Sequence, residues 1–279
     1  MNKIGILIIS LMLFACTRSE DNISKSAKIV IYGDSQSNHK IHKQICKLIC
    51  LLKPDAVIHV GDIVENPDDT TEWVAFNNES MQYRKKYPFY AVVGNHDINY
   101  TNFLKYIDTP NGDTYYSKEI SDLHFIFLDS NDDLKKGSIQ YNWLVTDLKN
   151  VKNNLHSRAI IVVFHHPPFG CDKEGNDGDE KNLCESIVPL FDKYGVNIVF
   201  SGHNHLYERI KHKNTWYIIT GGGGGEIHKR TRDCHKSEIS ISEHHLCELV
   251  YCDNLLRLKV YLLGKHKIED INIDLDEKN

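Results

Sequence analysis

The sequence has no CxxC cysteine pair, no long run of basic residues and no internal repeat. The missing CxxC pair argues against a zinc–cysteine cluster. A formal net charge of −5 without a basic run argues against a stable nucleic-acid partner. Repeat architectures are excluded as well, because a solenoid or propeller requires recurring sequence units.

The sequence also has no apolar run of about 20 residues, the length that a membrane-spanning helix needs. The apolar run from Ile4 to Ala15 is shorter and is typical of a signal-peptide core. It ends in Leu13-Phe14-Ala15-Cys16, which resembles a bacterial lipobox. We therefore expect residues 1–15 to be a lipoprotein signal peptide and Cys16 to carry the lipid. Residues 16–27 would form a polar tether, followed by a domain over 28–275. The alternative is an ordinary secretory signal with an incidental cysteine.

Export would place the remaining cysteines where disulfides persist. Cys171 and Cys184 flank a polar segment of 12 residues. We expect these two cysteines to form a disulfide that closes the segment. The expected location is outside the cytoplasm, in the periplasm or at the cell surface, with the protein bound to a membrane through its lipid.

The 279 residues are 41% hydrophobic and 25% charged, which suits one large globular domain. Short β-branched runs alternate with amphipathic stretches, so the pattern predicts an α/β fold with buried, largely parallel strands. Segments near the C-terminus are β-only and predict a second sheet packed on the first. Strands are predicted at 28–34, 56–62, 89–97, 123–130, 158–168, 197–205 and 215–225, and helices at 39–52, 70–82, 138–150 and 182–194.

Five of the predicted strands end in side chains that can bind metals. In α/β sheets, sites lie beyond the carboxyl ends of the strands, so these ends should meet at one edge. A single Gly-Asp after a strand is usually only a turn, but five such ends in order indicate a metal site. The residues are Asp34, Asp62, Asn95-His96-Asp97, His165-His166, and His203 with His205.

This set resembles the motifs of the calcineurin-like metallophosphoesterases, including the purple acid phosphatase branch. The matching stretches are Asp34-Ser35-Gln36, Gly61-Asp62, Gly94-Asn95-His96-Asp97, His165 and Gly202-His203-Asn204-His205. The resemblance covers about residues 28–225. It implies two packed mixed β-sheets flanked by helices, with a dimetal site at the carboxyl ends of the strands.

The resemblance also implies a role for each ligand. Asp62 would bridge two divalent transition metal ions, which the donor set suggests are Mn, Fe, Zn or Co. Asp34 and His205 would bind one ion, while Asn95, His165 and His203 would bind the other. Gln36 occupies a position where many relatives have histidine. It is predicted either to bind a metal through its amide oxygen or to serve only as a hydrogen-bonding residue.

The resemblance implies that His96 is not a ligand but protonates the leaving group as general acid or contacts the phosphate, oriented by Asp97 or Asp129. The alternative is a solvent-bonded histidine at a helix start. The purple enzymes carry tyrosine three residues after the bridging aspartate, where this chain has Glu65. This departure from the family pattern implies a site that is not purple.

Together these features predict dimetal-dependent hydrolysis of phosphate esters by a metal-bound hydroxide. The substrate would be a phosphorylated small molecule or a nucleotide. A phosphodiesterase or nucleotide pyrophosphatase of the same fold is the second reading, and a non-catalytic binding lipoprotein is the third. The glycines at 221–225 lack a following Lys-Ser/Thr, so they are not a P-loop. We expect them to let the backbone approach the metal edge closely.

Overall fold

The computed structural model describes residues 26–152, 157–171, 178–230, 237–252, 255–264 and 267–275. Its helices are α1 (His39–Leu52), α2 (Thr70–Arg84), α3 (Tyr100–Tyr106), α4 (Ile139–Lys152), α5 (Gly178–Ser186) and α6 (Val188–Tyr194). Its strands are β1 (Ala27–Tyr32), β2 (Ala56–His59), β3 (Phe89–Ala91), β4 (Tyr116–Ile120), β5 (Leu123–Phe127), β6 (Ala159–Val163), β7 (Ile198–Ser201), β8 (Tyr207–His212), β9 (Thr215–Thr220), β10 (Ser237–Ile241), β11 (His245–Cys252), β12 (Leu255–Leu262) and β13 (Lys267–Asp274).

The strands form two mixed sheets. Sheet 1 has the order β13-β12-β11-β1-β2-β3, and sheet 2 has the order β10-β8-β9-β7-β6-β5-β4. Strands β1 to β3 are parallel in sheet 1, as are β5, β6, β7 and β9 in sheet 2. The prediction of two packed mixed sheets is thus confirmed.

The C-terminal β-segment does not build a sheet of its own, and that part of the prediction is wrong. Strands β8 and β10 extend sheet 2, whereas β11 pairs antiparallel with β1 and carries β12 and β13 into sheet 1. The pairing covers the edge that β1 would otherwise expose. Periodicity identifies a strand but not its partner, so the sequence pattern could not distinguish the two arrangements.

The core follows from the alternation of side chains along each strand. Ile29 and Ile31 of β1 point into the space between the sheets, where they join side chains of β5 and β6. Val30 and Tyr32 point the opposite way and pack under α1. Helix α1 begins at the cap Asn38, whose side chain accepts from the Ile41 N–H at 3.2 Å.

Each parallel strand ends earlier than the sequence pattern predicts. Strand β1 ends at Tyr32, β2 at His59, β3 at Ala91, β6 at Val163 and β7 at Ser201. The residues that follow leave the strand ladder and form short turns at one end of the sandwich. The metal-binding side chains therefore lie on these turns rather than in the strands. Among the described residues, no helix is both long and apolar enough to cross a bilayer.

The predicted pairing of Cys171 with Cys184 is wrong. Cys171 is disulfide-bonded, but Cys184 carries a thiol that donates to the Pro168 carbonyl oxygen at 2.7 Å. Cys184 lies on α5, which directs its sulfur toward the main chain at Pro168 rather than toward Cys171. The expected lipidation site, Cys16, also lies outside the described residues.

The two cysteines should respond differently to substitution. Cys171→Ser should lower the free energy of unfolding by about 2–4 kcal/mol, because it removes a native disulfide. Cys184→Ser should change it little, since a serine hydroxyl can donate to the same carbonyl. Chemical denaturation of both variants measures this. A non-reduced peptide map that links Cys171 to Cys184 would contradict the assignment.

Candidate metal centre

The turns beyond the strands are sharp and use backbone conformations that L-residues seldom adopt. Asp34, Asp62 and His203 have φ angles of 57°, 55° and 67°. A non-glycine residue in this region costs about 1–2 kcal/mol. Such strain clusters at functional sites, where the surrounding structure holds it in place. Here the main chain ties the turns together, with the Asp34 N–H donating to Gly61 O at 2.9 Å.

Glycines let these turns pack closely. A Cβ atom on Gly94 would lie 2.1 Å from the Asp62 main-chain nitrogen and 2.1 Å from its Oδ1 atom. Within the run at 221–225, a Cβ on Gly225 would lie 2.4 Å from the His205 ring. The run therefore passes directly against a predicted metal ligand, which confirms the expected close approach of the backbone.

Asp62 lies at the centre of the site and is buried. Its Oδ1 accepts the His96 main-chain N–H at 2.9 Å, while its Oδ2 lies 3.2 Å from His165 Nε2. The Gln36 amide also donates to Oδ2, at 3.3 Å. Burial by itself would raise the pKa of Asp62, but the adjacent His165 imidazole brings that pKa below its ordinary value.

Three further predicted ligands converge beside Asp62. Asn95 Oδ1 lies 3.0 Å from His165 Nε2 and 3.0 Å from His203 Nδ1. His165 donates its other ring hydrogen, on Nδ1, to Val60 O at 2.8 Å. That bond turns Nε2 toward the site, which is how metal-binding histidines are usually held.

Asp34 and His205 lie on the other side of Asp62. Asp34 Oδ1 accepts the His203 main-chain N–H at 2.8 Å and lies 3.5 Å from His205 Nε2. His205 donates from Nδ1 to Glu226 O at 2.7 Å, so its Nε2 also faces inward. The Gln36 side-chain nitrogen lies 3.3 Å from His205 Nε2, so Gln36 lies beside the predicted ligands but turns its nitrogen rather than its oxygen toward them.

The donor set fits a pair of divalent ions. Oxygen or nitrogen atoms of Asp34, Asp62 and His165 lie within 4.8 Å of one another. Two buried oxygens, Asp34 Oδ2 and Gln36 Oε1, have no hydrogen-bond partner among the described residues. A buried polar atom without a partner is costly unless something binds it. Mixed carboxylate, amide and imidazole donors suit Mn, Fe, Zn or Co.

The predicted ligands therefore come from both sheets. Asp34, Asp62 and Asn95 follow β1, β2 and β3 of sheet 1, whereas His165, His203 and His205 follow β6 and β7 of sheet 2. The sequence model of the calcineurin-like phosphoesterase family matches residues 27–207.

The chain belongs to the calcineurin-like phosphoesterase family.

Among curated proteins of this kind, purple acid phosphatase 18 of Arabidopsis thaliana is 39% identical over 123 residues. That match covers 41% of this chain and 28% of the relative. Acid phosphatase type 7 of Mus musculus is 27% identical over 235 residues, covering 75% of this chain and 53% of the relative. The chain spans about half or less of the length of these curated relatives.

Solved structures with the same fold include purple acid phosphatase PPD1 from yellow lupin (Lupinus luteus). It superimposes with a TM-score of 0.82 at 17% identity, over 90% of this chain and 54% of that chain. GAP50, the anchor in the inner membrane complex of Plasmodium, gives a TM-score of 0.73 at 20% identity, over 91% of this chain and 90% of that chain. These likenesses confirm the predicted phosphoesterase fold.

His96 lies at the edge of the phosphoesterase site, with 37% of its side chain exposed. Its Nδ1 donates to Glu65 O at 3.0 Å. The expectation that Asp97 or Asp129 orients the ring is wrong. The Asp97 carboxylate instead accepts main-chain N–H groups of Ile63 at 2.9 Å and Gly94 at 3.0 Å, and Asp129 accepts from Asn131 at 2.9 Å.

His166 is buried beside the site. Its Nδ1 lies 2.9 Å from Ser130 Oγ, and its ring lies 4.7 Å from the His203 ring. Burial, followed by the neighbouring imidazoles His165 and His203, lowers the pKa of His166 to about 2. His166 therefore packs as a buried imidazole against the predicted ligands His165 and His203.

Sequence reasoning missed the groups that orient the ligands. Val60 O, Glu65 O and Glu226 O are main-chain acceptors, so no residue type could have signalled them. His228 was also missed. Its ring stacks on His205 at 4.3 Å, and its Nδ1 accepts the His205 N–H at 3.2 Å. One signal for it existed, since His228 follows the glycine run that packs on His205.

Asp62→Asn should remove most of the metal. We expect two ions per chain in the unaltered protein and less than one in the variant, because an amide offers one oxygen ligand in place of two. The control Asp113→Asn changes an exposed aspartate and should retain both ions. Elemental analysis after gel filtration measures the content.

The same proteins can be compared by thermal unfolding. Added metal should stabilise the unaltered chain by about 2.7 kcal/mol at one hundred times its Kd. Asp62→Asn should show little of this stabilisation. Full metal content and full stabilisation in Asp62→Asn would show that Asp62 is not a bridging ligand.

Proposed function

We propose that the protein is a dimetal-dependent phosphatase that hydrolyses phosphate monoesters. One observation carries the proposal: Asp62 and five other metal-binding side chains from two sheets converge, and His96 lies directly beside them. Membership of a phosphoesterase family supports this reading.

The chain's residues would divide between two ions. Asp62 has its two carboxylate oxygens turned to different neighbours, the His96 N–H and His165 Nε2, which suits a bridging role. Asp34 and His205 would hold one ion, and Gln36 would either bind it through its amide oxygen or donate a hydrogen bond to Asp62. Asn95, His165 and His203 would hold the other. When bound, two divalent ions neutralise the phosphate charge and lower the pKa of a water molecule.

The proton for the leaving group would come from His96. Its Nδ1 is anchored on Glu65 O, so Nε2 is the nitrogen that can carry a transferable proton. Burial opposes protonation of His96, but the nearby Asp62 carboxylate and Glu65 raise its pKa above the usual value. Histidine is the side chain that most often serves as a general acid.

The role of His96 can be tested by comparing the effect of its replacement on two esters with different leaving groups. His96→Asn should keep its metal and slow alkyl phosphate hydrolysis by about 10²–10⁴-fold. It should slow nitrophenyl phosphate hydrolysis far less, because nitrophenolate leaves readily without a proton. Steady-state kinetics on both esters, with elemental analysis of each preparation, makes the measurement.

The control is His39→Asn, which removes an exposed histidine on α1 and should leave both rates unchanged. Equal losses on the two esters in His96→Asn would assign His96 to phosphate positioning. No hydrolysis of either ester by the metal-loaded chain would favour a non-catalytic binding protein.

We also propose that the chain is exported and held on a membrane surface by lipid on Cys16. The apolar run ending at Cys16 supports this, as does the disulfide at Cys171, because disulfides persist outside the cytoplasm. A fatty-acid analogue supplied to cells should become attached to the unaltered chain but not to the Cys16→Ser variant. Unchanged labelling and membrane retention in the variant would defeat the proposal.

A further inference from the structure

A cavity of about 440 Å³ lies next to the candidate metal centre. The predicted metal ligand Asn95 and the buried His166 both line it, so the cavity opens onto the site where phosphate would bind. Its remaining walls come from Ile98, from the segment after β5 and from helix α5. Pockets for small organic molecules have volumes of about 300–1,000 Å³. The space is therefore large enough for an organic group in addition to the phosphate.

The walls combine one apolar side with several hydrogen-bonding groups. Leu134 and Leu183 supply buried apolar surface. Asp132 and Asp133 also line the cavity. Asp132 Oδ1 accepts the Asp133 main-chain N–H at 2.8 Å, and Asp133 Oδ1 accepts the Lys135 main-chain N–H at 2.8 Å. The Oδ2 atoms can accept hydrogen bonds from hydroxyl groups of a ligand.

The charges disfavour a second phosphate in this space. Two carboxylates, Asp132 and Asp133, and one ammonium group, Lys135, line the cavity. Their sum is negative, so a phosphate placed beside these carboxylates would meet like charges, whereas divalent ions at the neighbouring centre would attract it toward Asn95 and away from this wall. A neutral group rich in hydroxyls meets no such repulsion and can donate to both carboxylates.

We propose that this cavity holds the leaving group of the substrate, and that this group is a neutral, hydroxyl-rich moiety of sugar or nucleoside size. The inference rests on the proposed phosphatase function, because it assigns the leaving group of that reaction. It favours monoesters of nucleosides or sugars over pyrophosphates, whose leaving group is itself a charged phosphate.

Filling the cavity should weaken the binding of substrates with a large leaving group and leave substrates with a small leaving group unaffected. Ser186 lines the cavity from α5, whereas its neighbour Glu185 is exposed and does not line it. Ser186→Phe should raise the KM for AMP by about tenfold or more, and leave the KM for ethyl phosphate unchanged. Glu185→Phe, with the same bulk on the same helix, should alter neither value.

The effect of the two cavity carboxylates on substrate choice can be tested with a separate variant. Asp132→Asn combined with Asp133→Asn should improve hydrolysis of inorganic pyrophosphate relative to AMP. Adenosine carries no scissile phosphate, so its binding can be measured by calorimetry without turnover. We expect adenosine to bind the unaltered chain and Glu185→Phe, and to bind Ser186→Phe at least about tenfold more weakly.

The outcomes separate this inference from the proposed function. Hydrolysis of ethyl phosphate with no adenosine binding, or equal KM changes for both esters in Ser186→Phe, overturns the pocket and leaves the phosphatase standing. Adenosine binding that Ser186→Phe abolishes, without hydrolysis of any ester, supports the pocket and overturns the phosphatase.

Discussion

The structure depends on the burial of negative charge where the two sheets meet. Asp34 and Asp62 are 0% and 2% exposed, and the buried Asp97 lies close to them. Burying an ionised carboxylate costs several kcal/mol unless it is paired. Burial and the nearby Asp62 carboxylate raise the pKa of Asp97 to about 7, which reflects how crowded the charges are. Two divalent cations held by Asp34 and Asp62 would offset that cost.

The local features of the site follow from this constraint. The strands must end early so that turns can bring Asp34, Asp62 and His203 inward, and each of these residues adopts a left-handed backbone conformation. Gly94 must lack a side chain because Asp62 occupies the space that a Cβ would need. Main-chain carbonyls then hold the imidazoles in the orientation that turns one nitrogen of each ring toward the centre. The strained turns and the buried charges lie at one edge of the sheets. The packed apolar core in the remainder of both sheets stabilises this arrangement.

Much of the candidate metal centre could be predicted from the sequence, because metal-binding side chains recur at strand ends. The set that includes Asp62, Asn95 and His165 was visible as residue types in order, and the structure brings those residues together. Main-chain partners such as Glu65 O could not be predicted, since every residue has a carbonyl. The pairing of Cys171 with Cys184 failed because separation along the chain says little about the direction of a sulfur atom. The assignment of β11 to sheet 1 was also out of reach, because β-periodicity does not specify a partner.

We propose that Asp62 would bridge two metal ions held by ligands from both sheets. Anomalous diffraction from crystals grown with Mn or Zn tests it most directly. The account predicts two anomalous peaks about 3.5–4 Å apart, with one carboxylate oxygen of Asp62 on each. One peak should lie beside Asp34 and His205, and the other beside Asn95, His165 and His203. A single peak, or a pair of peaks that Asp62 does not join, would contradict the account.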